Sequence, residues 1–187
     1  MKIKEKEIRG VFEIQLEPHE DNRGFFVRTY DDKIFKKYGI DRKWTQENHS
    51  LSKIKGTVRG IHFQYPPDCE TKVLRVITGR IFFVVIDLRK NSETFSKWTS
   101  IILSAKKKNM LYVPRGCAPG MCTLTENCNL AYKVDNYYAK DNEDNIKWND
   151  PDLEIDWPIK VPVVISERDA NAQSFKEFVE RHGGLEI

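Results

Sequence analysis

Short apolar runs, each bounded by Gly, Pro, Asn or Asp, dominate the chain and predict strands rather than helices. Val11, Ile14 and Leu16 mark a first strand over residues 10–16. A polar turn from Pro18 to Gly24 separates it from the aromatic-rich stretch 24–29. Further strands are expected over residues 57–65, 72–78, 80–88, 97–103, 110–113 and 129–138. The run 81–86 is apolar at every position and reads as a strand buried on both faces. Two helices break the pattern. Residues 31–38 form a short one with Ile34 and Phe35 inward, and residues 170–182 carry Phe175, Phe178 and Val179 at helical spacing before Gly183-Gly184 ends the turn.

No repeat, linker or low-complexity stretch interrupts this series, so a single domain over residues 1–187 is expected. Its class is all-β, a jelly roll with short helices near the N-terminal third and at the C-terminus. The two strands meeting at Gly79-Arg80 read as a hairpin at its centre. Such a fold encloses a cavity lined by alternate residues of its strands, a natural place for small-molecule chemistry.

Charge narrows the partners. The chain has 31 basic and 28 acidic residues, a net charge of +3, which is no nucleic-acid signature. Lys106-Lys107-Lys108 reads as a solvated loop. Met1 to Glu7 is too charged for a signal peptide, and no apolar run approaches the roughly 20 residues of a membrane helix. A cytoplasmic protein is therefore expected, with neither membrane nor nucleic acid as partner. Cys69, Cys117, Cys122 and Cys128 include no C-x-x-C pair and read as reduced thiols.

Of the four histidines, His19 falls in a polar turn and His182 at the end of the terminal helix. His62 differs, because it lies within a strand, Val58-Arg59-Gly60-Ile61-His62-Phe63-Gln64. Alternation puts it on one face with Val58, Gly60 and Gln64, and a glycine there suggests close approach by a ligand or backbone. His62 reads either as an active-site imidazole or as a hydrogen-bonded core histidine. A jelly-roll metal site would want two or three histidines with a carboxylate, and this strand offers one, so no metal is expected. No G-x-S-x-G, P-loop or G-x-G-x-x-G motif is present.

A set of ordered motifs carries the reading further. Asp21-Asn22-Arg23-Gly24-Phe25-Phe26, Gln46-Glu47-Asn48-His49-Ser50 and the His62 strand are followed by Lys72-Val73-Leu74-Arg75-Val76, Trp148-Asn149-Asp150-Pro151 and Ile155-Asp156-Trp157-Pro158. Together, from about Arg9 to Asp169, they resemble the dTDP-4-dehydrorhamnose 3,5-epimerase family. The resemblance implies a cupin-type jelly roll, a homodimer and no cofactor, acting on a nucleotide-diphosphate sugar. It further implies that His62 removes the proton beside the C4 ketone and that Asp169 holds the tautomer of His62. Lys72 is implied to face the C4 oxygen, and Tyr132 to act as the acid on the opposite face of the sugar. Arg23 and Arg59 resemble diphosphate contacts, Gln46 and Asn48 sugar contacts, and Phe26 with Tyr137 or Tyr138 surfaces for the base. The residues around Arg23 and Phe26 are implied to enter the neighbouring subunit's site. Plainer readings stand beside these: a solvated strand-end Lys72, a rim Tyr132, and Asp169 as N-cap of the terminal helix.

Two departures sharpen the expectation. The expected reaction inverts C5, C3 or both, and Gly116-Cys117-Ala118-Pro119-Gly120-Met121, with Pro119 where the family usually has a second histidine, strengthens the case for inversion at a single carbon. Arg28 stands where the family commonly has Glu near the thymine, and a donor there suits cytosine N3. Inversion at C5 alone, on a CDP-4-keto-3,6-dideoxyhexose, would account for both. The segment Pro66 to Thr71 also departs from the small residues usual before the lysine. Competing classes are a sugar-nucleotide 3,4-ketoisomerase and a non-catalytic sugar-nucleotide-binding cupin.

Overall fold

The computed structural model describes residues 1–187, and in it the strand pattern becomes two facing antiparallel sheets. Numbered along the chain, the larger sheet contains β1 (Lys2–Glu5), β2 (Phe12–Gln15), β5 (Gln46–Ser52), β8 (Lys72–Thr78), β11 (Asn109–Val113) and β13 (Cys128–Val134), in the order β1-β2-β11-β8-β13-β5. The smaller sheet contains β6 (Val58–Arg59), β9 (Arg80–Asp87), β10 (Trp98–Ser104) and β12 (Cys117–Thr123), in the order β10-β9-β12-β6. Two ribbons complete the set, β3 (His19–Asp21) with β4 (Gly24–Phe26), and β7 (Ile61–Gln64) with β14 (Glu143–Ile146). The result is a double-sheet jelly roll of the cupin type.

The core lies between the sheets. Leu74, Val76, Leu111 and Leu130 of the larger sheet meet Ile81, Phe83, Val85, Leu103 and Met121 of the smaller. Each such side chain contributes about 1.5–3 kcal/mol when fully buried. Helices cover the outer faces. Helix α1 (Asp32–Lys37), capped by the Asp31 carboxylate, lays Phe35 with Ile14, Leu16 and Val73. Helix α3 (Phe175–His182) packs Phe175 and Phe178 with Ile61, Phe63 and Ile86. No helix is long and apolar enough to cross a membrane.

Several expectations are corrected. Strands β8 and β9 do not form a hairpin: they belong to different sheets, and the chain turns a corner between them at Gly79, φ +86°. The cause is the burial of β9 on both faces, which fixes it between β10 and β12. The terminal helix begins at Phe175, not at residue 170, because Ser174 and Glu177 form a capping box there. Ahead of it, Gln173 bridges to Ile146, and a separate turn of helix, α2 (Glu167–Ala170), is capped by Ser166. Asp169 is therefore not the cap of the terminal helix. Strands β5 and β12 were not expected, since β5 is a polar edge strand and β12 contains Pro119 and Gly120.

Alternation also slips at Gly60. Val58 packs with Val84, Cys122 and Trp157 on the outer side of the smaller sheet, while Ile61 and Phe63 pack under α3. Val58 thus does not share the face of His62. The slip leaves Arg59, paired with the core residue Met121, and His62, three positions on, both on the inner side.

Candidate active site

Glycine at position 60 makes the site possible. Its N–H donates to Asp169 Oδ2 at 3.0 Å, and a Cβ there would stand 3.0 Å from the Asp169 carboxyl carbon. The close approach anticipated for this glycine is therefore made by a carboxylate. Asp169 Oδ1 lies 2.6 Å from His62 Nε2 and accepts a further bond from Asn145 Nδ2 at 3.1 Å. Asn145 is the β14 residue directly opposite His62, so the ladder that holds β7 also supplies this donor.

Electrostatics decide the tautomer. Burial pushes the Asp169 carboxyl up, but the His62 hydrogen bond and charge, the Gly60 N–H and Ser166 together hold it down at about 2. An ionised carboxylate only accepts, so His62 must donate through Nε2–H. In the neutral ring Nδ1 then carries the free lone pair, on an imidazole that is 31% exposed.

The larger sheet supplies the other wall. Lys72 pairs with Val134, and Tyr132 with both Leu74 and Asn48. Paired residues share a face, so Lys72, Tyr132, Asn48 and Gln46 all stand on the side of Leu74 and Leu130, which is the interior. Tyr132 is raised above the ordinary phenol range, first by burial and then by the charge of Glu70, with Glu143 adding to it and Arg59 opposing. Lys72 is not a solvated lysine, for its ammonium is paired with the Glu70 carboxylate and its side chain is 13% exposed.

The remaining sequence-predicted residues separate into two groups. Arg59 reaches Ser52 Oγ at 3.3 Å and the Leu51 carbonyl at 3.4 Å, beside the site. Gln46 Oε1 accepts from Tyr138 N at 2.9 Å, and the Tyr138 hydroxyl donates to Glu143 at 2.9 Å. Tyr137 and Tyr138 are both exposed. Arg23, Phe26 and Arg28 lie elsewhere, on or just beyond the β3–β4 hairpin, which pairs with no other strand. Within one chain that hairpin is held by Lys108, which sits 3.6 Å from Glu20 and over the Phe25 ring. Lys108 is thus engaged rather than merely solvated. Arg28 pairs with Asp31 at 3.7 Å and borders a cavity of about 420 Å³ with Phe26 and His19.

Sequence reasoning missed Glu70, Asn145 and Glu143. Glu70 was visible only as a departure from the small residues expected before Lys72. Glu143 and Asn145 sit on β14, a strand too short and polar to be signalled. Pro119 is buried on β12, opposite Val85 and beyond the two-residue ladder to β6. No group of three His, Cys, Asp or Glu side chains is gathered closely enough to hold a metal ion.

An imidazole backed by a carboxylate, and a phenol near a lysine on the inner face of the larger sheet, are groups able to move protons, the chemistry a sugar epimerase needs. Comparison with known proteins agrees. Residues 5–177 match the profile of the dTDP-4-dehydrorhamnose 3,5-epimerases. The chain is 38% identical over 177 residues to the Shigella flexneri dTDP-4-dehydrorhamnose 3,5-epimerase, covering 94% of this chain and 96% of that one. The solved Bacillus anthracis enzyme of that name, with TDP and pyrophosphate bound, superposes with a TM-score of 0.90 at 38% identity, over 92% of this chain and 98% of that one. A 3'-monoepimerase from Streptomyces bikiniensis, in complex with dTDP-quinovose, gives 0.88 at 29% identity, over 97% and 91%. The chain belongs to the dTDP-4-dehydrorhamnose 3,5-epimerase family, and its chemistry is that of an isomerase.

Proposed function

We propose that this protein epimerises a nucleotide-diphospho-4-keto-6-deoxyhexose in deoxysugar biosynthesis. The observations that carry the reading are the buried carboxylate of Asp169 on His62 and, on the inner face of the larger sheet, Tyr132 and Lys72. His62 Nδ1 takes the proton from the carbon beside the C4 ketone. The C–H electron pair moves into an enolate whose negative oxygen faces the Lys72 ammonium. Tyr132 gives its proton to the opposite face of the same carbon, and the configuration is inverted. His62 then loses a proton to water and Tyr132 regains one, so the net change is isomerisation. Asp169 stabilises the imidazolium formed midway.

Arg59 meets a phosphate in this reading, with Gln46 and Asn48 contacting the sugar, supported by the inward face that these residues share. The exposure of Phe25 and Phe26, 59% and 66%, supports a homodimer in which the β3–β4 hairpin carries Arg23, Phe26 and Arg28 into a second copy's site. Pro119 offers no side-chain group that transfers a proton, which supports inversion at one carbon as a second reading. The ion pair of Arg28 with Asp31 weighs against assigning Arg28 to a cytosine base.

Proton exchange in D₂O and the ring couplings of the product, both followed by NMR, test the reaction. The substrates are dTDP-4-keto-6-deoxyglucose and the CDP-4-keto-6-deoxy and 3,6-dideoxy analogues. Deuterium together with inverted ring couplings at both C3 and C5 of the dTDP sugar is the expected outcome for double inversion, and the same at one carbon for the second reading. Exchange strongest with a CDP sugar would restore the cytosine role of Arg28. No exchange with any of them would leave a binding protein.

A further inference from the structure

Glu70 lies outside every motif that marked the site, yet it holds the site's one cationic side chain that begins β8. Its carboxylate is paired with the Lys72 ammonium, and the two side chains are 12% and 13% exposed. The backbone between them is fixed. Thr71 N–H donates to Asp135 Oδ1 at 2.6 Å, and Asp135 is held in turn by Arg115 at 3.2 Å and Arg42 at 3.6 Å. Lys72 itself is bracketed by Val113 on one side and Val134 on the other. Glu70, just ahead of β8, and Lys72, its first residue, therefore meet across an anchored stretch of backbone.

Resting on the epimerase reading, we propose that Glu70 is a positioning residue, which orients the Lys72 ammonium toward the oxygen that becomes the enolate. An ammonium has three N–H groups, so one bond to Glu70 leaves two for the substrate. A lysine without that bond would have to give up the rotamer freedom of its four-carbon stem at the moment of reaction. A cation already held needs no such reorganisation, and that advantage falls on the transition state.

A second consequence separates this role from simple scaffolding. The Glu70 charge also acts on Tyr132, together with Glu143 on β14 and against Arg59 on β6. Removing it lets the phenol ionise at lower pH, whereas a merely structural substitution has no reason to move that titration in one direction.

The test uses Glu70→Gln, Glu70→Asp and the unsubstituted protein, each also prepared with Tyr132→Phe. Exchange kinetics give kcat and KM. Ultraviolet difference titration against the Tyr132→Phe partner reports Tyr132 ionisation. Glu70→Gln should lose about 10- to 100-fold in kcat with little change in KM. Its Tyr132 midpoint should fall, and Glu70→Asp should recover part of both. Unchanged kcat overturns the proposal, as does a loss of kcat with the Tyr132 midpoint unmoved. If the unsubstituted protein itself exchanges no proton, the epimerase reading fails and this proposal with it, an outcome distinct from failure of Glu70 alone.

Discussion

Gly60 and Asp169 approach so closely that a side chain at position 60 would disturb the carboxylate that holds His62. The backbone N–H of one donates to the carboxylate of the other at 3.0 Å, and a Cβ at position 60 would meet both Cγ and Oδ1 at 3.0 Å. Such a contact is relieved only if the carboxylate shifts by a few tenths of an ångström, and that carboxylate aims His62. Gly60→Ala should fold normally by circular dichroism and lose about 10- to 100-fold in exchange rate. A variant with the parent rate would mean that the position of Asp169 is not critical.

Replacing the carboxylate itself has a larger effect. In Asp169→Asn the acceptor for His62 Nε2–H can become a donor, so the imidazole is free to present the wrong nitrogen to the substrate. The expected loss in exchange rate is on the order of 10²–10⁴-fold. NMR of the His62 ring nitrogens should show the proton leaving Nε2. An unchanged tautomer with an unchanged rate would remove Asp169 from the mechanism.

The same group makes stability depend on acid. Its carboxyl is held at about 2, below the ordinary 3.8, so the folded form keeps the charge that the unfolded chain gives up first. That difference stabilises the fold by about 2 kcal/mol wherever the pH lies above the unfolded value. The contribution declines as pH falls below about 4 and is gone once it passes below about 2. Urea unfolding across this window should show the parent protein losing more stability than Asp169→Asn. Parallel losses would show that the carboxyl is not held down.

Much of this was legible in the sequence, for reasons that differ from residue to residue. Strand β9 declared itself because it is buried on both faces, and His62 because a polar residue beside a glycine within a strand demands a reason. Lys72 and Tyr132 were readable only through the family resemblance, since no local pattern distinguishes a lysine lining a site from a solvated one. The corner at Gly79 and the slip at Gly60 were hidden, because the sheet a strand joins depends on contacts distant in sequence. Glu70 was hidden differently. Its significance comes from its pairing with Lys72, and adjacency in sequence does not reveal a pairing.

Tyr132 offers the sharpest division of labour, because inversion and exchange are separable. His62 alone can remove a proton, trade it with solvent and return it to the same face, which brings in deuterium without changing configuration. Inversion needs a donor on the far side, and in the proposed mechanism that donor is the phenol, kept protonated by burial and the charge of Glu70 and Glu143. Tyr132→Phe keeps the ring in its packing against the core and deletes only the hydroxyl. Inversion should therefore fall by about 10²–10⁴-fold while exchange falls much less. NMR can follow both in one sample, through loss of the substrate's carbon-bound proton signal and growth of the inverted sugar's ring couplings. If the two rates fall together, the hydroxyl supports the removal step as well; if neither falls, the acid must be sought elsewhere on the larger sheet.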